Sequence, residues 1–235
     1  MAAIKPSIAG RTIPASACSR RRDLIELAVA YGLILLVIWT PRPWQRILWW
    51  VAAAAVVAIA SASFEGLQAM GLRRENFLRS LWIVGAALLV SAVAVVLAIW
   101  LRTLHVPSTP LLFIETYVGY VIWTFAQQLL MQCFFLSRFL RLLPSAKLAA
   151  LVTAIIFAAA HLPSPILVPV TLLWGLASCL LFLRYGNLYT LAIAHAILGV
   201  TLAIAVPAAV HHNMRVGLGY LTYGRTHAAT PSAQP

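Results

Sequence analysis

The sequence predicts an all-α, polytopic transmembrane helix bundle, and three observations carry this prediction. The 235 residues are 63% hydrophobic and only 9% charged, whereas a soluble domain is about 45–50% apolar and about 25% charged. Apolar stretches recur along the chain at lengths close to the ~20 residues that a helix needs to cross a bilayer. The basic residues cluster between these stretches. Together these features indicate several membrane helices packed in one domain.

Seven apolar stretches are predicted to span the membrane, or eight if the tail from Val210 re-enters it. In chain order they cover residues 24–40, 45–63, 80–101, 113–136, 147–162, 165–183 and 188–207. Six of them fall in the ~17–25 residue range of membrane helices, and the fifth is shorter. It ends at Leu162-Pro-Ser-Pro165, because proline stops a helix. An interrupted segment at membrane depth is tolerated where it is buried in protein or lines a cavity.

A single transmembrane domain is predicted for residues 23–210, between a disordered basic cytoplasmic tail (1–22) and a polar C-terminal tail (211–235). No apolar stretch precedes Cys18, so the first span is expected to act as an uncleaved signal anchor. With the N-terminus in the cytoplasm, twelve of the 17 Lys and Arg residues fall on the cytoplasmic side, as the positive-inside rule requires. Short loops and the lack of sorting signals indicate a bacterial inner membrane.

The net charge of +12 is interpreted as a feature of the membrane surface. Basic residues in loops set the topology and meet anionic lipid headgroups. No basic surface interleaved with aromatic residues is apparent, so no nucleic-acid partner is expected. The three cysteines share no short spacing, which argues against a disulfide framework or a cysteine metal site. No cofactor is expected.

Polar residues inside three of the apolar stretches mark a candidate site. The fourth stretch contains Gln127, Gln128 and Gln132, the fifth ends at His161, and the seventh contains His195. Polar groups in hydrocarbon cost several kcal/mol unless they are partnered, so they normally face one another or a wet cavity. The chain runs 33 residues from Gln128 to His161 and 34 from His161 to His195. Each interval holds a helix, a turn and a return helix, so the three clusters are expected to meet.

The three clusters resemble the motifs of the CPBP intramembrane proteases, a family that includes type II CAAX prenyl endopeptidases and bacteriocin-processing proteins. The family pattern is Glu-Glu-x-x-x-Arg on one helix, Phe-x-x-x-His on a later one and His-x-x-x-Asn on a third. Here these elements read Gln127-Gln128-Leu-Leu-Met-Gln132, Phe157-Ala-Ala-Ala-His161 and His195-Ala-Ile-Leu-Gly199. The resemblance covers residues 113–205 and is supported by the turn 183–189 and the link 66–72.

The resemblance implies peptide-bond hydrolysis, but four motif residues differ from the family. In the family a glutamate is thought to activate water, while histidine and asparagine side chains stabilise the oxyanion. Gln127 and Gln128 replace the glutamates here, and a carboxamide cannot accept a proton from water. Losing a general base costs ~10²–10⁴-fold in rate. His161 or His195, with an unperturbed pKa of ~6.5, could act as the base while the other donates to the oxyanion, helped by the glutamine amides.

The remaining motif residues are expected to support the site. Phe157 shares a helix face with His161 and is expected to pack, and Gly199 allows close helix approach. Gln132 lies one turn after Gln128 and either lines a cavity or joins helices. The alternative is that the histidines serve only as interhelical hydrogen-bonding groups. Two histidines without a nearby carboxylate or thiolate make a poor zinc site, since three or four protein ligands are the norm, so no bound metal is expected.

Three functions are compatible with these residues. The resemblance implies a CAAX-type intramembrane endopeptidase that acts on a membrane-associated peptide or a prenylated C-terminus. A catalytically inactive pseudoprotease would instead bind or scaffold a membrane client in the same cavity. A small transporter is the third reading, but neither an inverted repeat nor a series of ionisable pathway residues is evident.

Overall fold

The computed structural model describes residues 17–62, 66–68 and 70–223, and every regular element in these ranges is a helix, as predicted. The helices in chain order are α1 (Ala17–Trp39), α2 (Trp44–Ala62), α3 (Phe77–Trp100), α4 (Pro110–Leu129), a π-helical segment (Leu130–Leu136), α5 (Ser137–Leu142), α6 (Ala146–Ala159), α7 (Leu167–Tyr185), α8 (Leu188–Ala205), α9 (Ala208–His211) and α10 (Gly217–Leu221). Most of the predicted tail 1–22 lies outside the described residues, and α1 begins within it.

Three of these helices, α3, α7 and α8, are long and apolar enough to cross a membrane. Two further apolar helices are shorter, over Trp44–Ile59 and Ala146–Ala159. The chain is therefore an integral membrane protein, and the total of seven crossings stays a prediction. The 14 residues of α6 span about 21 Å at 1.5 Å per residue. Because the hydrocarbon core is about 30 Å thick, α6 is too short to cross it.

The predicted fourth span is longer than expected and changes its helical form. Residues Pro110–Leu142 form one continuous path in which α4 passes through the π-helical segment into α5. Thr109 begins this path, because its hydroxyl accepts a hydrogen bond from the Leu112 amide and Pro110 occupies the first turn. A π-helical segment is rare and is frequently found at functional sites. Gln132 lies inside it and is buried.

Close packing of α6 on α7, and of both α3 and α4 on α8, builds the centre of the bundle. Small residues allow the α6–α7 approach, as is usual where membrane helices meet. Ala149, Ala150 and Ala154 are fully buried. A Cβ atom added at Gly175 would lie 3.2 Å from the Ala154 Cα atom, so a larger residue there would push the two helices apart.

Hydrogen bonds join the turn between α7 and α8 to the segment that precedes α3. Gly186 ends α7 in the left-handed conformation, and a Cβ atom there would overlap the Arg73 guanidinium. The Asn187 side-chain amide donates to the Arg73 carbonyl at 2.8 Å, and the Leu188 amide donates to the Gly71 carbonyl at 3.0 Å. The Asn187 side-chain oxygen also caps α8. These contacts fix where α8, which carries His195, begins.

Two ion pairs attach α1 to the end of the α4–α5 path. Arg138 donates to one oxygen of Glu26 from Nη2 at 2.6 Å and from Nε at 2.9 Å. Arg141 contacts both oxygens of Asp23, at 2.7 and 2.9 Å. The Arg138 side chain is only 2% exposed, so the direct pairing with Glu26 offsets part of the cost of burying its charge. At the other end of α1, Gly217 of α10 packs against Ile38, so part of the predicted polar tail is folded onto the bundle.

We expect Glu26→Gln to lower the thermal unfolding midpoint strongly, because it removes the carboxylate that pairs directly with the buried Arg138 guanidinium. Removing one partner of such a pair typically costs ~3–5 kcal/mol. Arg22→Gln is the matched control, because Arg22 contacts the same carboxylate with a side chain that is 60% exposed. An exposed pair contributes only ~0–1 kcal/mol. Unfolding scans in detergent would contradict this ranking if both variants lost the same stability.

Candidate active site

A cavity of about 2540 Å³ lies between the α1–α2 pair and the group formed by α4, α6, α7 and α8. Aliphatic and aromatic side chains dominate its wall, which also includes Gln127, Gln132, His161 and His195. Four arginines contribute to the wall, and no carboxylate does so among the described residues. The cavity is therefore an apolar space that brings all three predicted polar clusters together.

A chain of buried hydrogen bonds connects the glutamines to His195. Gln132 Nε2 donates to Gln128 Oε1 at 3.1 Å and to Ser178 Oγ at 3.3 Å. Gln128 Nε2 contacts His195 Nδ1 at 3.2 Å, and Ser178 Oγ donates to the Gly175 carbonyl. With its oxygen engaged by Gln132, Gln128 presents its NH₂ group to the imidazole. The His195 Nδ1 atom is then an acceptor, so the proton of the neutral ring lies on Nε2.

The proton of the neutral His161 ring lies on the other nitrogen. His161 Nδ1 is 2.7 Å from the Phe157 carbonyl oxygen, and a carbonyl can only accept, so this nitrogen carries a hydrogen. The Nε2 atom of a neutral His161 therefore keeps its lone pair. The ring follows the C-terminal end of the short helix α6 and is half-buried in the cavity wall. The two histidines thus offer opposite functions, an acceptor at His161 and a donor at His195.

Aromatic rings hold the two imidazoles in place. The Phe157 ring centroid is 4.8 Å from that of His161 and 6.1 Å from that of His195, both edge-on. The Trp174 indole lies 5.8 Å from His195 on the α7 side. Its Nε1 atom is buried and has no hydrogen-bond partner in the part of the chain that the structure describes. Phe157 therefore packs against both histidines.

The glutamines differ in their access to the cavity. Gln128 is fully buried and Gln132 is 1% exposed, and their amide groups bond within the network. Gln127 is half-buried and lines the cavity. The Gln132 Oε1 atom is buried and unpaired among the described residues. Gln127 and Gln132 both line the cavity, and Gln127 is the more exposed of the two.

Sequence reasoning did not identify Ser178, Trp174 or Tyr120 as residues of this site. Ser178 had a weak signal, since Thr171, Gly175 and Ser178 form a stripe of small and polar residues at helical spacing. Trp174 had none. Tyr120 had a signal, since it extends by one turn the i, i+4 stripe formed by Thr124 and Gln128. Tyr120 lines the cavity beside Gly199.

The fold and this buried cluster define a helical membrane protein with a histidine–glutamine site inside the bundle. Residues 109–201 match a protein-family model described as type II CAAX prenyl endopeptidase Rce1-like. This match confirms the resemblance predicted from the motifs, and it covers the segment that contains the glutamines and both histidines. No curated protein and no solved structure matches the chain.

We expect neither stability nor activity of the protein to depend on a metal ion. No group of three or more His, Cys, Asp or Glu side chains is arranged to hold a metal within the described residues, and zinc normally takes three or four protein ligands. Treatment with a chelator should leave the unfolding midpoint unchanged, and added zinc should not raise it. A zinc-dependent rise of several degrees that disappears in His161→Ala would refute this expectation.

Proposed function

We propose that the protein is an intramembrane endopeptidase in which His161 replaces the missing glutamate as the general base. The observation that supports this most directly is the opposite polarity of the two imidazoles. His161 Nδ1 is bound to the Phe157 carbonyl, which leaves Nε2 as a proton acceptor in the cavity wall. His195 receives the Gln128 amide on Nδ1, which leaves its Nε2–H as a donor. A base and an oxyanion donor are the two groups that peptide hydrolysis requires.

In the proposed reaction, His161 Nε2 takes a proton from a water molecule as the water oxygen bonds to the carbonyl carbon of the peptide. The carbonyl π electrons move to oxygen, and the resulting oxyanion accepts a hydrogen bond from His195 Nε2–H. When the carbon–nitrogen bond breaks, the leaving amine takes the proton from His161. Gln127 can orient the water without changing its charge. The products are a carboxylic acid and an amine, and His161 is again neutral.

The cavity favours a substrate with a substantial apolar part. Its wall is mainly aliphatic and aromatic, its volume is about 2540 Å³, and it reaches from the histidines to Arg20 and Arg141. A membrane-associated peptide or a prenylated C-terminus has this chemistry. We further propose a bacterial inner-membrane location with a cytoplasmic N-terminus, which would place this arginine end of the cavity at the cytoplasmic face.

Cleavage of a panel of membrane-associated and prenylated peptides by the protein in lipid tests this function. We expect His161→Gln to lower the cleavage rate by ~10²–10⁴-fold, because glutamine cannot accept the proton from water. His212→Gln is a suitable control, since His212 stacks on Tyr220 and Tyr223 and is not part of the cavity wall. Equal cleavage by the wild type and His161→Gln would exclude the proposed base.

A second candidate function is client binding without cleavage. The absence of any carboxylate from the described cavity wall favours it, because the groups that bind a peptide can persist after the inherited base is lost. Replacing all members of a buried charged set can be neutral for stability, whereas removing one is costly. The glutamines here form such a neutral set, which keeps the helices joined without ionised groups.

Gln127→Glu distinguishes the two functions. It adds a carboxylate at a half-buried position of the cavity wall. The matched control, Gln128→Glu, would place a charge in the fully buried hydrogen-bond network of Gln132 and His195. If the protein only binds its client, the wild type should bind a peptide without cutting it, and Gln127→Glu should gain cleavage. If His161 is the base, the wild type already cleaves.

A further inference from the structure

The hydroxyl group of Tyr120 occupies the space that a side chain at position 199 would fill. A Cβ atom built on Gly199 would overlap the Tyr120 hydroxyl oxygen and would lie 2.6 Å from its Cζ atom. Tyr120 belongs to α4 and Gly199 to α8, so the contact joins the two helices that carry Gln128 and His195. No residue other than glycine would allow the tyrosine to reach this position.

The Tyr120 hydroxyl lies beside a residue that is one helical turn from His195. Gly199 lies one helical turn after His195, and Cβ positions four residues apart on a helix are about 5–6 Å from each other. Tyr120 and Gly199 both line the cavity together with the two histidines. The hydroxyl therefore reaches the cavity on the same face of α8 as the His195 imidazole.

The Tyr120 hydroxyl group has no hydrogen-bond acceptor among the residues that the structure describes. No hydrogen bond from the Tyr120 oxygen is found within residues 17–62, 66–68 and 70–223, and the side chain is half-buried. The hydroxyls of Thr124, Thr171 and Thr201, by contrast, all donate to backbone carbonyls of their own helices. A phenol that faces an apolar cavity without a partner retains its capacity to donate, and a bound molecule can use it.

We propose that the Tyr120 hydroxyl is a second oxyanion donor, which acts beside His195 Nε2–H and supplies the polar group that Gly199 cannot. This inference rests on the proposed function. In the bound peptide the hydroxyl donates to the carbonyl oxygen at the scissile bond. The bond strengthens as negative charge develops on that oxygen, so it stabilises the transition state more than the bound substrate.

Tyr120→Phe tests the donor with little structural change, because the ring that packs on Gly199 is kept. We expect kcat to fall by ~10²–10³-fold, the usual effect of losing an oxyanion donor, with KM little changed. The matched control is Tyr117→Phe, which removes a phenol from the same helix at a position that packs on Phe113 outside the cavity wall. A Tyr120→Phe variant with wild-type kcat would overturn the proposal.

Substituting both positions 120 and 199 distinguishes hydrogen-bond donation by Tyr120 from packing of its ring. In Tyr120→Ala the donor is lost and the space beside position 199 is opened, so we expect low activity. Adding Gly199→Asn to Tyr120→Ala should raise the activity at least tenfold above that of Tyr120→Ala alone, because the asparagine amide then donates from the same place. Gly199→Asn alone should clash with the tyrosine ring. A double variant as inactive as Tyr120→Ala, with a wild-type unfolding midpoint, would count against a donor at this position.

Peptide binding keeps this proposal distinct from the proposed protease function. If the wild type binds a fluorescent prenylated peptide but does not cleave it, the protease function is wrong. The proposed donor is then tested by comparing the peptide affinities of the wild type and Tyr120→Phe. The Tyr120→Phe variant lacks one hydrogen bond to the peptide, so its Kd should rise about two- to tenfold. An unchanged Kd would contradict the proposed donor. If the wild type neither binds nor cleaves any peptide of the panel, both proposals are wrong.

Discussion

The structure depends on the requirement that polar groups inside an apolar bundle find partners. Gln128, with no exposed surface, meets this requirement by binding His195 on one side and Gln132 on the other. The network joins α4, α7 and α8 at one depth, and at the same time it sets which nitrogen of His195 carries the proton. Packing and chemistry are thus determined by the same few hydrogen bonds.

The position of His161 has a separate origin. The helix α6 ends after 14 residues. A turn that contains Pro163 and Pro165 follows, and α7 begins at Leu167. The last turn leaves carbonyl groups without helical partners, and the Phe157 carbonyl accepts the His161 Nδ1–H instead. The bond that completes the end of the helix also directs the lone pair of the imidazole. A helix long enough to cross the membrane would not place a histidine here.

Much of this arrangement could be predicted from the sequence. The all-helical fold, the membrane character and the resemblance to the CAAX-type proteases followed from composition and from three motifs at regular spacing. The i, i+4 relation of Gln128 and Gln132 and the nearly equal chain intervals to His161 and His195 indicated that these residues would share a site. The number of crossings could not be fixed, because α1 begins with a run of charged residues, α4 continues into a π-helical segment and α6 has only 14 residues.

The partners of the site residues were beyond the reach of the sequence. Ser178 is joined to Gln132 by the packing of α7 on the π-helical segment, and no periodic pattern predicts such a segment. Tyr120 belongs to a visible stripe, but its significance depends on what faces it, and the glycine at position 199 was expected only to allow close helix approach. In the structure the same glycine leaves room for a phenol from α4.

The pH dependence of single-turnover cleavage tests the histidine-centred site most directly. A neutral imidazole is the active base, so we expect the wild-type rate to fall tenfold per pH unit on the acid side of one ionisation. In the double variant Gln127→Glu, His161→Gln the only base left is a carboxylate, which stays ionised at lower pH, so its activity should extend further into acid. Identical profiles for the two proteins, or a wild-type rate independent of pH, would contradict a histidine base.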